Sequence, residues 1–184
     1  MAMTDTAHGE RATPSARPFA RLLAFFRVDF PAGRSQPSAW RWALATIVSL
    51  AGSIAACGML VVIATNLFPS TIGYPHFQLA DYGKLTVIGV FLACCAWPVV
   101  TLASSRARRI FFVLTLAVTI VGFAPDAWIL YKGQPVEAVS VLIAMHLVLA
   151  LITFPALVLI APQRPLGRPA ARTRDTRRTP RSQR

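Results

Sequence analysis

The side chains in this sequence with the most scope for chemistry in a nonpolar environment are one histidine, one aspartate and three cysteines. His146 lies about ten residues, or roughly 15 Å, into the last of four apolar stretches. Asp126 lies near the end of the third stretch, and the cysteines are Cys57, Cys94 and Cys95. A histidine so placed either joins neighbouring helices by a hydrogen bond or binds a proton or a ligand. The sequence favours the joining role and leaves the second open.

His146 and Asp126 are expected at different depths. Folding the chain back at residues 133–134 puts Asp126 about seven residues before the turn and His146 about twelve after it, a mismatch of about 7 Å. The sequence therefore predicts no direct salt bridge, leaves a water-linked contact open, and favours Asp126 as an interfacial acid that caps a loop. Pro125 is expected to bend or end the third helix.

The remaining candidates for chemistry are few. No carboxylate or second histidine accompanies the cysteines at their depth, so we expect them to fill helix contacts rather than to bind a metal. The sequence contains no phosphate-binding glycine loop, no H-E-x-x-H and no G-x-S-x-G motif. A haem held by two histidines would need a second histidine within the spans. We therefore predict a protein that is not an enzyme, with no cofactor and no metal site.

Four apolar segments must position these side chains. Of 184 residues, 55% are hydrophobic and 14% are charged, whereas a soluble domain has about 25% charged residues. This composition excludes a disordered chain, a water-soluble globule and a disulfide scaffold. Each segment can cross about 30 Å of hydrocarbon, where an unbroken backbone must be helical. The sequence predicts an all-α membrane protein with four transmembrane helices, at residues 42–67, 85–103, 110–130 and 136–161.

The basic residues indicate an orientation. Every lysine and arginine except Lys84 and Lys132 falls in the N-terminal arm, in the connection between the second and third spans, or in the C-terminal tail. The positive-inside rule then places both termini in the cytoplasm and the protein in the plasma membrane as a multi-pass protein. Because this topology accounts for the net charge of +12, we expect no nucleic-acid partner.

The termini are predicted to differ from the spans. Residues 1–18 form a disordered arm, and residues 162–184 form a disordered, Arg-rich cytoplasmic tail attracted to anionic lipid. Residues 19–41 form an amphipathic interfacial segment and linker, whose helix either lies on the inner leaflet or packs on the end of the bundle. Its apolar face comprises Phe19, Leu22, Leu23, Phe26 and Phe30.

Small residues recur at helical spacing in the first span. They are Ala45, Ser49, Gly52 and Ala56. Such a stripe lets another helix approach closely. It indicates helix packing, either within the bundle or against another membrane protein or a second copy of the chain.

Four short motifs resemble a domain-of-unknown-function family of small four-helix membrane proteins from actinobacteria. They are Ala96-Trp97 with Leu102, Arg106-Ala107-Arg108-Arg109, Val121-Gly122-x-x-Pro125 and Leu142-x-Ala144-Met145-His146-Leu147-x-x-Ala150. The resemblance covers roughly residues 42–161, and its most specific element is the Met-His-Leu run. Pro98 and the basic tail depart from the pattern. The resemblance implies a four-helix membrane fold and draws attention to His146 without giving it a role.

Two functions follow as hypotheses. The first is a non-enzymatic structural or accessory four-helix bundle that binds membrane lipids together with a membrane-protein partner or a second copy. The alternative is a small-molecule or proton-coupled transporter, or a ligand-binding membrane protein, that uses His146 and Asp126.

Overall fold

The computed structural model describes residues 29–30 and 36–164. They form four α-helices: α1 (Ala39–Leu67), α2 (Leu79–Ala103), α3 (Ala107–Tyr131) and α4 (Val136–Pro155). Two short 3₁₀ turns, Pro69–Thr71 and Pro75–Phe77, lie between α1 and α2, and a π-helical turn, Ala156–Ile160, follows α4. The predicted arm, nearly all of the amphipathic helix and the tail beyond residue 164 lie outside the described residues.

The predicted fold class is confirmed. The protein is all-α, with four helices long and apolar enough to cross a membrane and no strand within the described ranges. The helix limits differ most in α2, which begins at Leu79 rather than at residue 85 and so includes Asp81 and Lys84. Asp81 and Lys84 lower the hydropathy of these first turns, so hydropathy alone does not assign them to the span. They are compatible with a helix end, because polar side chains there reach interfacial water and an acid complements the helix dipole.

The helices form an antiparallel bundle in which α1 packs on α2 and α4, and α3 packs on α4 and α2. The connections divide it into two ends. We call the end with residues 68–78 and 132–135 the Tyr74 end. The end with residues 104–106 and the chain after residue 160 is the Trp97 end.

Prolines lie within α2 and α3 and at the last residue of α4. Pro98 in α2 has no N–H to donate to the Cys94 carbonyl one turn earlier, and the Trp42 indole donates to that oxygen instead, at 2.8 Å. α3 runs through Pro125 to Tyr131, so of the two predicted outcomes, a bend or an end of the helix, the structure excludes the end. At the end of α4, Pro155 precedes the wider π-helical turn, an arrangement typical of a helix that adjusts to a missing hydrogen bond.

The Trp97 end is closed by aromatic packing. The Trp97 side chain is 1% exposed, and its indole N–H donates to the Ala161 carbonyl at 2.8 Å. The Phe111 ring lies edge-on to Trp97 at 5.1 Å between centroids, and Phe154 stacks on Phe111 at 5.9 Å. Gln163 donates to the Ser104 carbonyl at 2.7 Å. Hydrogen bonds and ring contacts together pack this end of the bundle closely.

Residues 29–30 attach to the connection between α2 and α3. The Asp29 carboxylate accepts hydrogen bonds from the Ser105 amide at 2.8 Å and from the Ser105 hydroxyl at 2.6 Å. Phe30 has a φ of +41° and a 72% exposed side chain. A positive φ lies outside the right-handed helix, so the prediction that the amphipathic helix includes Phe30 is wrong at this residue.

Candidate intramembrane polar site

Asp126 and His146 are in direct contact. The Nδ1 atom of His146 lies 3.1 Å from the Oδ2 atom of Asp126, and the Asp126 side chain is only 5% exposed. The prediction of no direct contact is therefore wrong. The prediction that Asp126 caps a loop at the interface is also wrong, because Asp126 is a buried residue within α3.

The direction of the side chains explains why the depth estimate failed. Side chains on an α-helix lean towards its N-terminus. Because α3 and α4 are antiparallel, Asp126 leans towards the Trp97 end and His146 leans towards the Tyr74 end. Consistent with this, His146 Nδ1 reaches back one turn to within 3.0 Å of the Leu142 carbonyl. Each side chain thus covers part of the predicted 7 Å mismatch.

Gly122 leaves room for the imidazole ring of His146 because it has no side chain. A Cβ atom at residue 122 would lie 2.8 Å from His146 Cδ2 and 3.2 Å from its Nε2, closer than nonbonded atoms pack. Gly122 lies one turn before Asp126 on the same face of α3. The histidine ring therefore lies over a glycine while its other edge meets the carboxylate. Phe123 adds an edge-on ring contact with His146, at 6.1 Å between centroids.

The contacts define the protonation states that the pair can hold. Nδ1 faces two oxygens, the Leu142 carbonyl and the Asp126 carboxylate, so with an ionised carboxylate Nδ1 must carry the hydrogen. Asp126 Oδ2 makes no well-directed hydrogen bond, so the 3.1 Å contact is an electrostatic one that becomes an ion pair when the imidazole is protonated. Nε2 lies on the edge towards Gly122 and is open to a second proton or a ligand. The pair can therefore bind and release a proton.

Tyr74 lies near Asp126, in the connection between α1 and α2. Its side chain is buried with Phe77, Ala64 and Ala138, and its hydroxyl has no hydrogen-bond partner. Burial, and after it the negative charge of Asp126, raises the pKa of Tyr74. The tyrosine thus lies within electrostatic reach of the buried carboxylate.

An open depression of about 270 Å³ lies beside Tyr74 at this end of the bundle. Its walls include Tyr74, His76, Trp128, Lys132 and Gln134, and the Lys132 ammonium lies 4.9 Å from the centre of the Trp128 ring. Such a volume is at the lower limit for a drug-sized ligand and suits water or a small solute. The His76 side chain is 47% exposed, and its Nδ1 atom lies 3.6 Å from Asp81 Oδ2.

The small-residue stripe lies inside the bundle. Ala45 and Ser49 are fully buried, and a Cβ on Gly52 would lie 3.2 Å from the Ile152 side chain of α4. Gly52 of the stripe therefore contributes to the contact between α1 and α4 of the same chain, while Gly52 and Ala56 remain half-buried.

Two residues of the site were not among the predicted candidates. Tyr74 lies in the connection between α1 and α2, and its approach to Asp126 depends on how this loop folds back. Gly122 appeared only within a motif of the family resemblance. Its placement one turn before an intramembrane acid is a signal that could have identified it, since a glycine there leaves room for a neighbouring side chain.

The cysteines and other possible metal ligands do not gather at this site. Cys57 Sγ lies 3.8 Å from the Thr86 hydroxyl, and both Cys57 and Cys94 are buried. Within the described residues, no three His, Cys, Asp or Glu side chains lie together as metal ligands would.

Comparison with known proteins adds no relative. No protein-family model, curated protein sequence or solved structure matches the chain. The class that the fold defines is a four-helix integral membrane protein, and the resemblance to the actinobacterial family stays a prediction.

Proposed function

We propose that this protein is a proton-coupled carrier of a small solute in the plasma membrane, not an enzyme, with Asp126 and His146 as its proton-binding pair. Both termini lie in the cytoplasm in this proposal, so the Tyr74 end faces outwards. The 3.1 Å contact between a buried carboxylate and an imidazole carries it. Ionisable residues within membrane helices are costly and usually mark ion or substrate pathways.

The surroundings of the pair support this role over a purely structural one. The His146 side chain is 37% exposed, whereas the Asp126 side chain is 5% exposed, so the imidazole is the member of the pair that reaches the surface of the bundle. In the described residues only Nδ1 of the ring has a hydrogen-bond partner, and Nε2 is left to take a proton.

The competing hypothesis of an accessory bundle has two supports, the scarcity of ionisable groups in the spans and the small-residue stripe. The first still stands, whereas Gly52 of the stripe meets Ile152 within the chain. The prediction that the Arg-rich tail binds anionic lipid is compatible with either function, and the tail lies outside the described residues.

The direct test is a titration of His146 in lipid nanodiscs. We would label the full-length protein with ¹⁵N-histidine, assign His146 by its loss in His146→Gln, and follow its ring nitrogens between about pH 5 and pH 9. We expect the ring signals to change with pH as the pair gains or loses a proton. We expect that change to differ in Asp126→Asn, because the imidazole then loses the carboxylate that it contacts at 3.1 Å.

The matched control is Asp81→Asn, which removes the acid beside His76 at the surface and should leave the His146 midpoint unchanged. A His146 signal that does not change over this range would overturn the proposal. So would a midpoint that is the same in the wild type and in Asp126→Asn.

A further inference from the structure

The depression beside Tyr74 combines apolar and polar walls. Apolar surface is contributed by Tyr74, Trp128 and Ile129. Side-chain hydrogen-bond donors are contributed by His76, Lys132 and Gln134. Among the described residues, those that line the depression include no aspartate and no glutamate. This lining fits a solute that joins a hydrogen-bond acceptor to a small apolar body.

Lys132 carries the charge that is available to such a solute. Its ammonium lies 4.9 Å from the centre of the Trp128 ring, a cation–π contact that holds the charge at the wall of the depression. Within the described ranges, no carboxylate forms a salt bridge with Lys132. Asp81, in contrast, lies 3.7 Å from Lys84 and 3.6 Å from His76. The acid thus offsets the charge that those two residues can carry, and Lys132 has no such counterpart in this part of the chain.

The volume of the depression limits the size of the solute. At the roughly 30 Å³ that a water-sized group occupies in a liquid, the depression of about 270 Å³ admits about nine non-hydrogen atoms. A carboxylate suits the lysine, because an ammonium and an anionic oxygen form a short and strong hydrogen bond. The apolar walls suit a single ring or a short hydrocarbon chain. A small monocarboxylate meets both requirements.

Asp126 does not line the depression but acts on it through its charge. Tyr74 does line it, and burial, followed by the negative charge of Asp126, raises the pKa of Tyr74. An anion bound beside Tyr74 experiences the same field, so an ionised Asp126 repels it. Once the Asp126–His146 pair has gained a proton, that repulsion is reduced. Proton binding and anion binding therefore favour each other.

We propose that this depression binds a small monocarboxylate through the Lys132 ammonium, and that this anion is the solute carried together with the proton. The inference rests on the proposed carrier function and names its substrate class. One proton with one monoanion carries no net charge, which lowers the electrostatic cost of moving the two through hydrocarbon.

The test measures the binding of para-fluorobenzoate to the full-length protein in phosphatidylcholine nanodiscs. The ¹⁹F NMR signal of the ligand broadens on binding, and a titration at about pH 8.5 gives the Kd with the ligand ionised and Lys132 protonated. We expect saturable binding beyond that of empty nanodiscs. We expect para-fluorobenzamide, which has a similar shape without the charge, to bind about tenfold or more weakly.

The lysine is tested by Lys132→Gln, which removes the charge and keeps a polar side chain. We expect this variant to bind para-fluorobenzoate about tenfold or more weakly than the wild type. The matched control is Lys84→Gln, because Lys84 is an exposed lysine at the same end that does not line the depression. Its Kd should change by less than about twofold, since exposed charges interact weakly. Thermal unfolding of each variant verifies that it folds.

The coupling to the pair is tested by Asp126→Asn at the same pH, where the wild-type pair has released its proton in this proposal. Without the carboxylate charge, para-fluorobenzoate should bind about threefold or more tightly. The pH is constant, so the other Asp, Glu, His and Lys side chains near this end are compared in one state. Within the described residues they are His76, Asp81, Lys84, Lys132 and Glu137. Equal binding in Asp126→Asn would show that the anion is not coupled to the proton and would refute it as the carried solute.

A lipid headgroup presents the same oxyanion chemistry, and native mass spectrometry separates the two sources. In nanodiscs that also contain phosphatidylglycerol, a free carboxylate as the ligand predicts that the wild type and Lys132→Gln retain equal numbers of phosphatidylglycerol molecules. An additional molecule retained by the wild type would assign the depression to a lipid headgroup and overturn the substrate class.

Three further outcomes of the titrations overturn the anion site. They are no saturable binding by the wild type, equal binding of the benzamide, and equal binding by the wild type and Lys132→Gln. None of them affects the nanodisc titration of His146. A titrating pair without anion binding would refute the substrate class alone, whereas anion binding beside a silent pair would refute the carrier function.

Discussion

The two ends of the bundle differ in how their aromatic side chains pair their polar atoms, although Thr153 near the Trp97 end also has an unpaired hydroxyl. At the Trp97 end, the Trp97 and Trp42 indoles donate to carbonyl oxygens at 2.8 Å each. At the Tyr74 end, the Tyr74 hydroxyl and Asp126 Oδ2 are buried without a hydrogen-bond partner. Proteins concentrate unsatisfied polar groups where they bind or react and complete the remaining pairings elsewhere. We call the Trp97 end the supporting end. On the proposed function, the Tyr74 end is the working end.

The largest expected effect is on the supporting end. Trp97→Ala removes a fully buried ring and leaves the Ala161 carbonyl without its donor. We expect it to lower the free energy of unfolding by about 3 kcal/mol or more, measured by reversible SDS unfolding in mixed micelles. The control is Trp40→Ala, whose side chain is 73% exposed. Equal stability of the two variants would remove the distinction between the ends.

A smaller loss of stability is expected when a methyl group is added beside His146 at the working end. In Gly122→Ala the new methyl would lie 2.8 Å from the His146 ring, so the ring must move from Asp126. We expect a loss of about 1–2 kcal/mol together with a changed His146 titration by NMR.

Gly89→Ala is the matched control for that substitution, because nothing lies within 4 Å of the Cβ it would add in α2. It should be neutral or slightly stabilising. If both alanine variants behave alike, the close approach of His146 to Gly122 does not constrain the site.

The smallest effect is a pH dependence at the Tyr74 end. Burial, and then Asp126, raises the pKa of Tyr74 above its ordinary value of about 10. The unfolded chain then loses this proton before the folded one, so the contribution of Tyr74 to stability is complete below about pH 10 and declines as the pH rises further.

The tyrosinate absorbance near 295 nm of the wild type minus Tyr74→Phe should therefore titrate above about pH 10. In Asp126→Asn that midpoint should fall, since one of the two causes is gone. An unchanged midpoint in Asp126→Asn would show that the two groups do not interact.

Much of the fold could be predicted from residue types. The predicted first span, residues 42–67, ends at the same residue as α1, and α4 begins at residue 136 as predicted. The first turns of α2 were missed because Asp81 and Lys84 lower its hydropathy while remaining compatible with a helix end. The sequence identified the residues of the site but not the contact between them. His146 and Asp126 were both candidates, but the estimate of their separation counted helix rise and left out side-chain direction.

The sequence by itself determined that the chain is a bundle of four membrane helices. Hydrocarbon leaves an apolar chain with no other way to satisfy its backbone, so composition and length suffice for that conclusion. The tertiary structure alone decided that Asp126 meets His146 beside Gly122 and that Tyr74 lies within electrostatic reach of Asp126. Those contacts depend on how antiparallel helices rotate and on where a loop folds back, and both follow from packing between residues far apart in the chain.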